Sequence, residues 1–272
     1  MHIHKESDII PQPRHRLTTR LWHWINALCL LVLLMSGLTI FNAHPRLYWG
    51  EYGANNDYAW MAVGSSERIG YLRLGDMRID TTGFLGNWQD SSGRTQTWAF
   101  PGWATIPSYY SLADGRRWHF FFAWIFSFGL TLFMIRSLWN RHIQSDLRMR
   151  RQEWRPSNIW RSFRDHSRIS VIRQSWDKPY NVIQKLSYIG VIFILLPLMI
   201  MTGLTMSPAM DANWPLLTEL FGGRQSARSL HFIAAFLLVL FFLIHMLMVL
   251  LSGPLRQTRA MITGGQARGV DK

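Results

Sequence analysis

The sequence predicts an all-α integral membrane protein: a four-transmembrane-helix bundle with a long extracytoplasmic loop region. Three observations predict it. Four apolar blocks of about 20 residues stand apart along the 272-residue chain, the length that crosses a bilayer core as a helix. The formal charge of +13 gathers on alternate connections. The blocks contain no Asp or Glu, yet four histidines lie inside them.

The first block runs over about 21–41 (LWHWINALCLLVLLMSGLTIF) and the second over about 118–138 (WHFFFAWIFSFGLTLFMIRSL). The third covers about 182–206, and the fourth about 230–251 (LHFIAAFLLVLFFLIHMLMVLL). Only a helix satisfies its own backbone in lipid, so each block is read as a helix. Pro197 lies within the third, where a transmembrane helix tolerates it with a kink. The first block is long for the apolar region of a signal peptide, and no clear small-x-small cleavage site follows it, so it is read as a retained helix. The whole chain reads as a single membrane domain. An outer loop spans 42–117 and a basic loop spans 139–181.

Charge gives the orientation. Residues 1–20 carry net +2, residues 136–178 net +7 and residues 256–272 net +3, while 42–117 and 207–229 are each neutral. The positive-inside rule places both termini and the basic loop in the cytoplasm of a bacterial inner membrane protein. The basic balance is therefore a topology signal that also suits anionic lipid, and no nucleic-acid partner is expected. Within the basic loop, Trp139, Trp154, Trp160 and Trp176 are interleaved with arginine, the pattern of an interfacial amphipathic segment. The 14 Trp and 16 Phe fit rings that sit at the headgroup level or line a flat ligand. The lone Cys29 cannot form an internal disulfide and reads as a small apolar side chain. No C-x-x-C-H motif is present for covalent haem attachment.

The histidines carry the chemistry. Ionisable groups inside a span are costly and mark function. His23 starts the first span on the inner side, and His119 starts the second on the outer side. His231 starts the fourth span on the outer side, and His245 lies fourteen residues on, about 21 Å deeper on the same face. Depth therefore pairs His119 with His231 and His23 with His245. Zinc takes three or four protein ligands, whereas two facing imidazoles suit axial ligation of a haem iron. Two b-type haems are expected. Arginine precedes three of the four by three residues, in R20-L-W-H23, R116-R-W-H119 and R228-S-L-H231. Arg20, Arg116, Arg117 and Arg228 are candidate partners for haem propionates, and they equally suit snorkelling at the membrane boundary. Gly37, Gly129 and Gly203 offer room for a flat ring or for helix packing.

These motifs resemble those of the bacterial di-haem cytochrome b subunits that anchor formate dehydrogenase, nickel–iron hydrogenase and thiosulfate reductase. The resemblance spans all four helices. It rests on R-x-x-H-W at 20–24, R-R-W-H-F at 116–120 and R-S-L-H-F with a second His fourteen residues on. The runs YNVIQKLSY at 180–188 and TGLTMSP at 202–208 look nearest to the thiosulfate-reductase branch. The resemblance implies an electron-transfer subunit that exchanges electrons between quinone and an extracytoplasmic oxidoreductase, in this branch of the molybdopterin type. No stand-alone catalytic centre is evident. The connection 42–117 departs from the pattern by its length and is expected either to dock that partner or to shield the outer haem. Asn181, Gln184 and Lys185 are polar positions where a quinone could meet the inner haem. Two rival functions use the same residues. A proton-conducting transporter needs acidic groups in its spans, and a cofactor-free anchor has no use for repeated R-x-x-H.

Overall fold

Apolar side chains without protein cover define the four long helices. In the computed structural model, which describes residues 17–139 and 182–264, Leu28, Leu31, Phe121, Phe128, Leu132, Phe242, Leu243 and Leu247 all face outward. Such a surface needs lipid around it. Helix α1 covers Leu17–Asn42 and α2 covers Leu112–Trp139. The third span is α3 (Val182–Gly190), one π turn (Val191–Leu195) and α4 (Leu196–Thr205). The π turn directly precedes Pro197 and spares the chain the i−4 bond that proline cannot donate. Two short helices follow, α5 (Pro208–Asn213) and α6 (Pro215–Leu220), each opened by proline at its first position. The fourth span is α7 (Arg224–Leu251), and α8 (Pro254–Thr263) closes the described chain. All four spans are long and apolar enough to cross a membrane.

Three of the helices begin four to six residues before their apolar blocks. Hydropathy marks only the part in hydrocarbon, and the helices continue into polar first turns. Arg20, Arg116 and Arg228 therefore lie inside helices, one turn before a histidine. The spans pack as two hairpins, α1 against α2 and the third span against α7. Gly129 permits the first contact, because a Cβ there would stand 2.5 Å from the Trp22 ring. Cys29, Phe126, Leu130 and Leu196 form the buried core between the hairpins, with Trp22, Val191 and Leu238 against it.

The outer connection carries structure that periodicity did not announce. Strands β1 (Arg46–Leu47), β2 (Met61–Ser66), β3 (Ile69–Leu74) and β4 (Met77–Asp80) form an antiparallel sheet in sequence order. A small hairpin, β5 (Trp88–Gln89) with β6 (Thr95–Gln96), lies beyond it. The sheet buries Leu47, Met61 and Val63 against Phe41 of α1 and Ala99, with Phe232 of α7 packed on the same cluster. Polar straps fix it to the helix ends. Ser229 Oγ donates to the Tyr48 carbonyl at 2.6 Å, Trp60 Nε1 donates to Ser229 Oγ at 2.9 Å, and Gly50 N donates to Ser226 Oγ at 2.7 Å. Gly223, at φ 106°, allows this approach, since a Cβ there would stand 2.5 Å from the Gly50 carbonyl. At the far end of the bundle, α8 lies against the start of α1. Arg20 donates to the Ile262 carbonyl, and Trp24 Nε1 donates to the Met261 carbonyl at 3.3 Å. Asn181 and the basic segment 140–181 lie outside the described residues.

Candidate haem sites

The four span histidines stand in two pairs at opposite ends of the bundle. At the sheet end, the rings of His119 and His231 have centres 6.4 Å apart and planes inclined by 60°. At the far end, His23 and His245 have centres 6.4 Å apart and planes inclined by 50°. All four rings are half-buried. Among the described residues, no group of three or more His, Cys, Asp or Glu gathers to hold a bare metal ion. Each pair offers two imidazoles.

The sheet-end pair has its protons assigned by geometry. Ser36 Oγ lies 2.6 Å from the Val32 carbonyl and 3.1 Å from His119 Nδ1. A hydroxyl has one proton, and the shorter contact to a pure acceptor takes it. The hydroxyl then accepts from His119, so Nδ1 carries hydrogen. Thr202 repeats the arrangement at 2.7 Å to the Leu198 carbonyl and 2.9 Å to His231 Nδ1. Both rings are thus held as the Nδ1–H tautomer, which leaves the Nε2 lone pair for a metal.

The glycine beside each hydroxyl completes the seat. A Cβ on Gly37 would meet His119 Cε1 at 3.4 Å, and one on Gly203 would meet His231 Cε1 at 3.5 Å. The same five-residue pattern, Met35-Ser36-Gly37-Leu38-Thr39 and Met201-Thr202-Gly203-Leu204-Thr205, stands at the sheet end of the first and third spans. Each faces an Arg-x-x-His-Phe on the next long helix. The bundle is a twofold repeat of one helix hairpin. Sequence reasoning missed Ser36 and Thr202; the repeated pentapeptide was the signal that could have found them.

The arginines differ in what they touch. Arg228 is half-buried, donates to the His44 carbonyl, and lies 5.6 Å over the Phe41 ring. Arg20 is half-buried against α8. Arg116 is exposed and lies 5.5 Å over Phe120. Arg117, two residues before His119 rather than three, points elsewhere and pairs with Asp114 at 3.2 Å. Lys185 is half-buried near the start of the third span, and Gln184 lies in the same helix.

A family model of prokaryotic cytochrome b561 matches residues 14–264. The chain belongs to the prokaryotic cytochrome b561 family. No curated protein and no solved structure matches it. As a cytochrome b561 it is a multi-pass bacterial membrane protein of a family that binds b-type haem and transfers electrons.

The histidine spacing of this cytochrome b561 suits that cofactor. An imidazole nitrogen binds a first-row metal ion at about 2.0–2.1 Å, and adding roughly 1.1 Å to each ring centre sets two axial rings about 6.3 Å apart. Both pairs stand at 6.4 Å. Two histidine pairs with unrelated roles would have no reason to share one spacing. The donor set and its tautomers fit a bis-imidazole haem.

Proposed function

We propose that this cytochrome b561 is a di-haem electron carrier that connects a quinone pool to an oxidoreductase docked on its sheet end. The observation that carries the reading is the equal 6.4 Å spacing of the two histidine pairs. His119 and His231 would hold one b-type haem, and His23 and His245 the other. The haems supply one-electron redox chemistry when bound. The protein fixes ligation, burial and distance. Ser36 and Thr202 hold the sheet-end imidazoles in their ligating tautomer. Arg20, Arg116 and Arg228 precede ligands by one turn and are cations for the propionates; Arg117 is occupied by Asp114.

The charge distribution supports an orientation with both termini and the basic segment in the cytoplasm and the sheet outside. The partner would meet the sheet end, where Tyr52, Phe84 and Trp103 are exposed by 79%, 67% and 73%. By the family resemblance, an extracytoplasmic enzyme of the molybdopterin class is the partner expected. Quinone would exchange electrons at the far end, near Asn181, Gln184 and Lys185.

The deciding experiment is a dithionite-reduced minus oxidised spectrum of purified protein, with haem counted per chain. The expected result is a b-type α band and two haems. His119→Ala and His23→Ala should each leave one. A flat spectrum from folded protein expressed with ample haem would sink the reading.

A further inference from the structure

Pairing register sorts charge on the outer sheet. Arg46, Ala62, Arg73 and Arg78 are cross-strand partners in one row that runs over all four strands. Leu47, Met61, Val63 and Leu72 alternate with them and pack toward Phe41 and Phe232 at the helix ends. Successive side chains on a strand point to opposite faces, so the arginine row lies on the face turned away from the bundle. Arg73 and Arg78 stand directly opposite each other. Like charges so placed weaken a sheet, so the row has no structural reason to be there.

Neutral groups hold each guanidinium in place. Arg46 Nη1 donates to the Asn55 carbonyl at 2.6 Å, and Arg73 Nη2 donates to the Ala59 carbonyl at 3.2 Å. Arg78 lies 4.3 Å over the Tyr71 ring. A guanidinium has five donors, so each keeps several to offer. Among the described residues no ion pair involves these three. The nearby acids are turned to their own loops. Asp57 accepts from Ala54 N at 2.7 Å, and Asp80 accepts from Thr82 N at 2.8 Å and Thr82 Oγ1 at 2.6 Å. The small side chain of Ala62 leaves a cleft of about 490 Å³ between the arginines, open to the outside and rimmed by Asn56 and Tyr58.

Strands lie about 4.8 Å apart, so the row from Arg46 to Arg78 is about 14 Å long. A single small oxyanion spans one guanidinium pair, not the row. An extended chain sets every second side chain on one side about 7 Å apart, so carboxylates at i, i+2 and i+4 cover it. Bilayer lipid lies toward the other face of the sheet. A polyphosphate chain would meet Asp57 and Asp80, in a connection that is neutral overall. We propose that the arginine row is a docking cleft for an extended acidic segment of a protein partner, held by charge-assisted hydrogen bonds to its carboxylates. This rests on the reading of a partner at the sheet end and names what that partner presents.

The test uses purified full-length protein in detergent, with Asn56→Cys carrying an environment-sensitive fluorophore on the cleft rim. Cys29 is buried and stays unlabelled. A reporter placed there is blind to ligand on the basic segment. A peptide of alternating glutamate and serine is titrated, then sulfate, then phosphatidylglycerol vesicles. The peptide should give a saturable change. Arg78→Gln and Arg73→Gln should each weaken it about tenfold, the worth of one hydrogen bond to a charged group. Arg78→Lys should weaken it less, and Arg68→Gln, exposed and off the row, should leave it unchanged. Silence toward the peptide would overturn the proposal. So would equal losses in Arg68→Gln and Arg78→Gln, tighter binding of sulfate than of peptide, or a response to vesicles alone. If Arg73→Gln loosens the sheet, exposed Arg78 decides. The visible spectrum of the same sample counts haem. Two haems with a silent cleft remove the docking site and leave the electron carrier; a responsive cleft without haem does the reverse.

Discussion

Ser36 and Thr202 each spend their hydroxyl proton on a carbonyl one turn back and turn a lone pair to a histidine. An acceptor at Nδ1 makes an imidazole a stronger donor to metal and favours ferric iron. Ser36→Ala should therefore raise the potential of one haem and leave the other unmoved, as read by redox titration. Adding Thr202→Val should weaken ligation at that end, in the range of 10–100-fold seen for outer-shell partners. Thr202→Ser keeps the hydroxyl and should behave as wild type. The adjacent glycines give a steric counterpart. Gly37→Ala puts a methyl at ordinary contact distance from His119 and should be tolerated, whereas Gly37→Leu should displace the ring and cost one haem of two. These residues were hard to read from the sequence because Ser, Thr and Gly are common in membrane helices for packing alone. The histidines were easy because a titratable ring in an apolar run has few other reasons to be there. Depth, at about 1.5 Å per residue, sorts them into the two groups that face each other in the structure.

At the scale of elements, the helices were legible and the sheet was not. Twenty apolar residues leave one solution in lipid. A two-residue strand such as Arg46–Leu47 has no periodicity to detect. Its place comes from pairing with β2 and from straps to α7 that lie about 180 residues away in sequence. The β2–β3 turn hides its own signal. Glu67 and Arg68 both take positive φ, 53° and 69°, where a two-residue hairpin turn favours Asn-Gly. Glu67→Asn with Arg68→Gly should relieve that cost, on the order of 1 kcal/mol per residue, and slow proteolysis of the sheet in detergent. The sheet also shares its core with Phe41 and Phe232. Deleting 55–100 would remove Met61, Val63 and Ala99 from that core and disturb the helix ends, so partner docking is better tested on the surface. Tyr52→Ser and Trp103→Ser should keep both haems and lose partner co-purification. Retained co-purification would leave the sheet as a cover for the sheet-end haem. Between the spans, Gly129→Ala should lower the melting temperature in detergent by overpacking Trp22, at a cost of about 1–3 kcal/mol, and Trp22→Leu in the same chain should recover part of it.

For the whole molecule, the twofold hairpin repeat explains how the sheet-end histidine pair is built. Each hairpin brings a hydroxyl and a glycine on its first helix to a histidine on its second, and the two halves meet across the sheet-end gap. The far-end pair breaks that symmetry, since its histidines come from α1 and α7, the outermost elements of the repeat. The fold class and the histidines were legible in the sequence because lipid imposes them locally. The repeat was hard to see, because the connection inside the first copy carries the sheet and that inside the second is short, and only the pentapeptides and the Arg-x-x-His-Phe motifs mark it. A reporter fused after residue 272 should be active in the cytoplasm, and a cysteine placed at Tyr52 should react from outside with an impermeant maleimide.

His231 and His245 sit fourteen residues apart on one helix, about 21 Å of a hydrocarbon layer about 30 Å thick. With a redox centre at each, the protein has the geometry of a charged plate on either side of an insulator. An electron passing between them does electrical work. It crosses roughly two-thirds of the membrane's voltage drop, so each 100 mV of potential adds or removes about 1.6 kcal/mol for the step. In sealed proteoliposomes, a potassium diffusion potential should therefore redistribute electrons between the two centres, and an ionophore should abolish the shift.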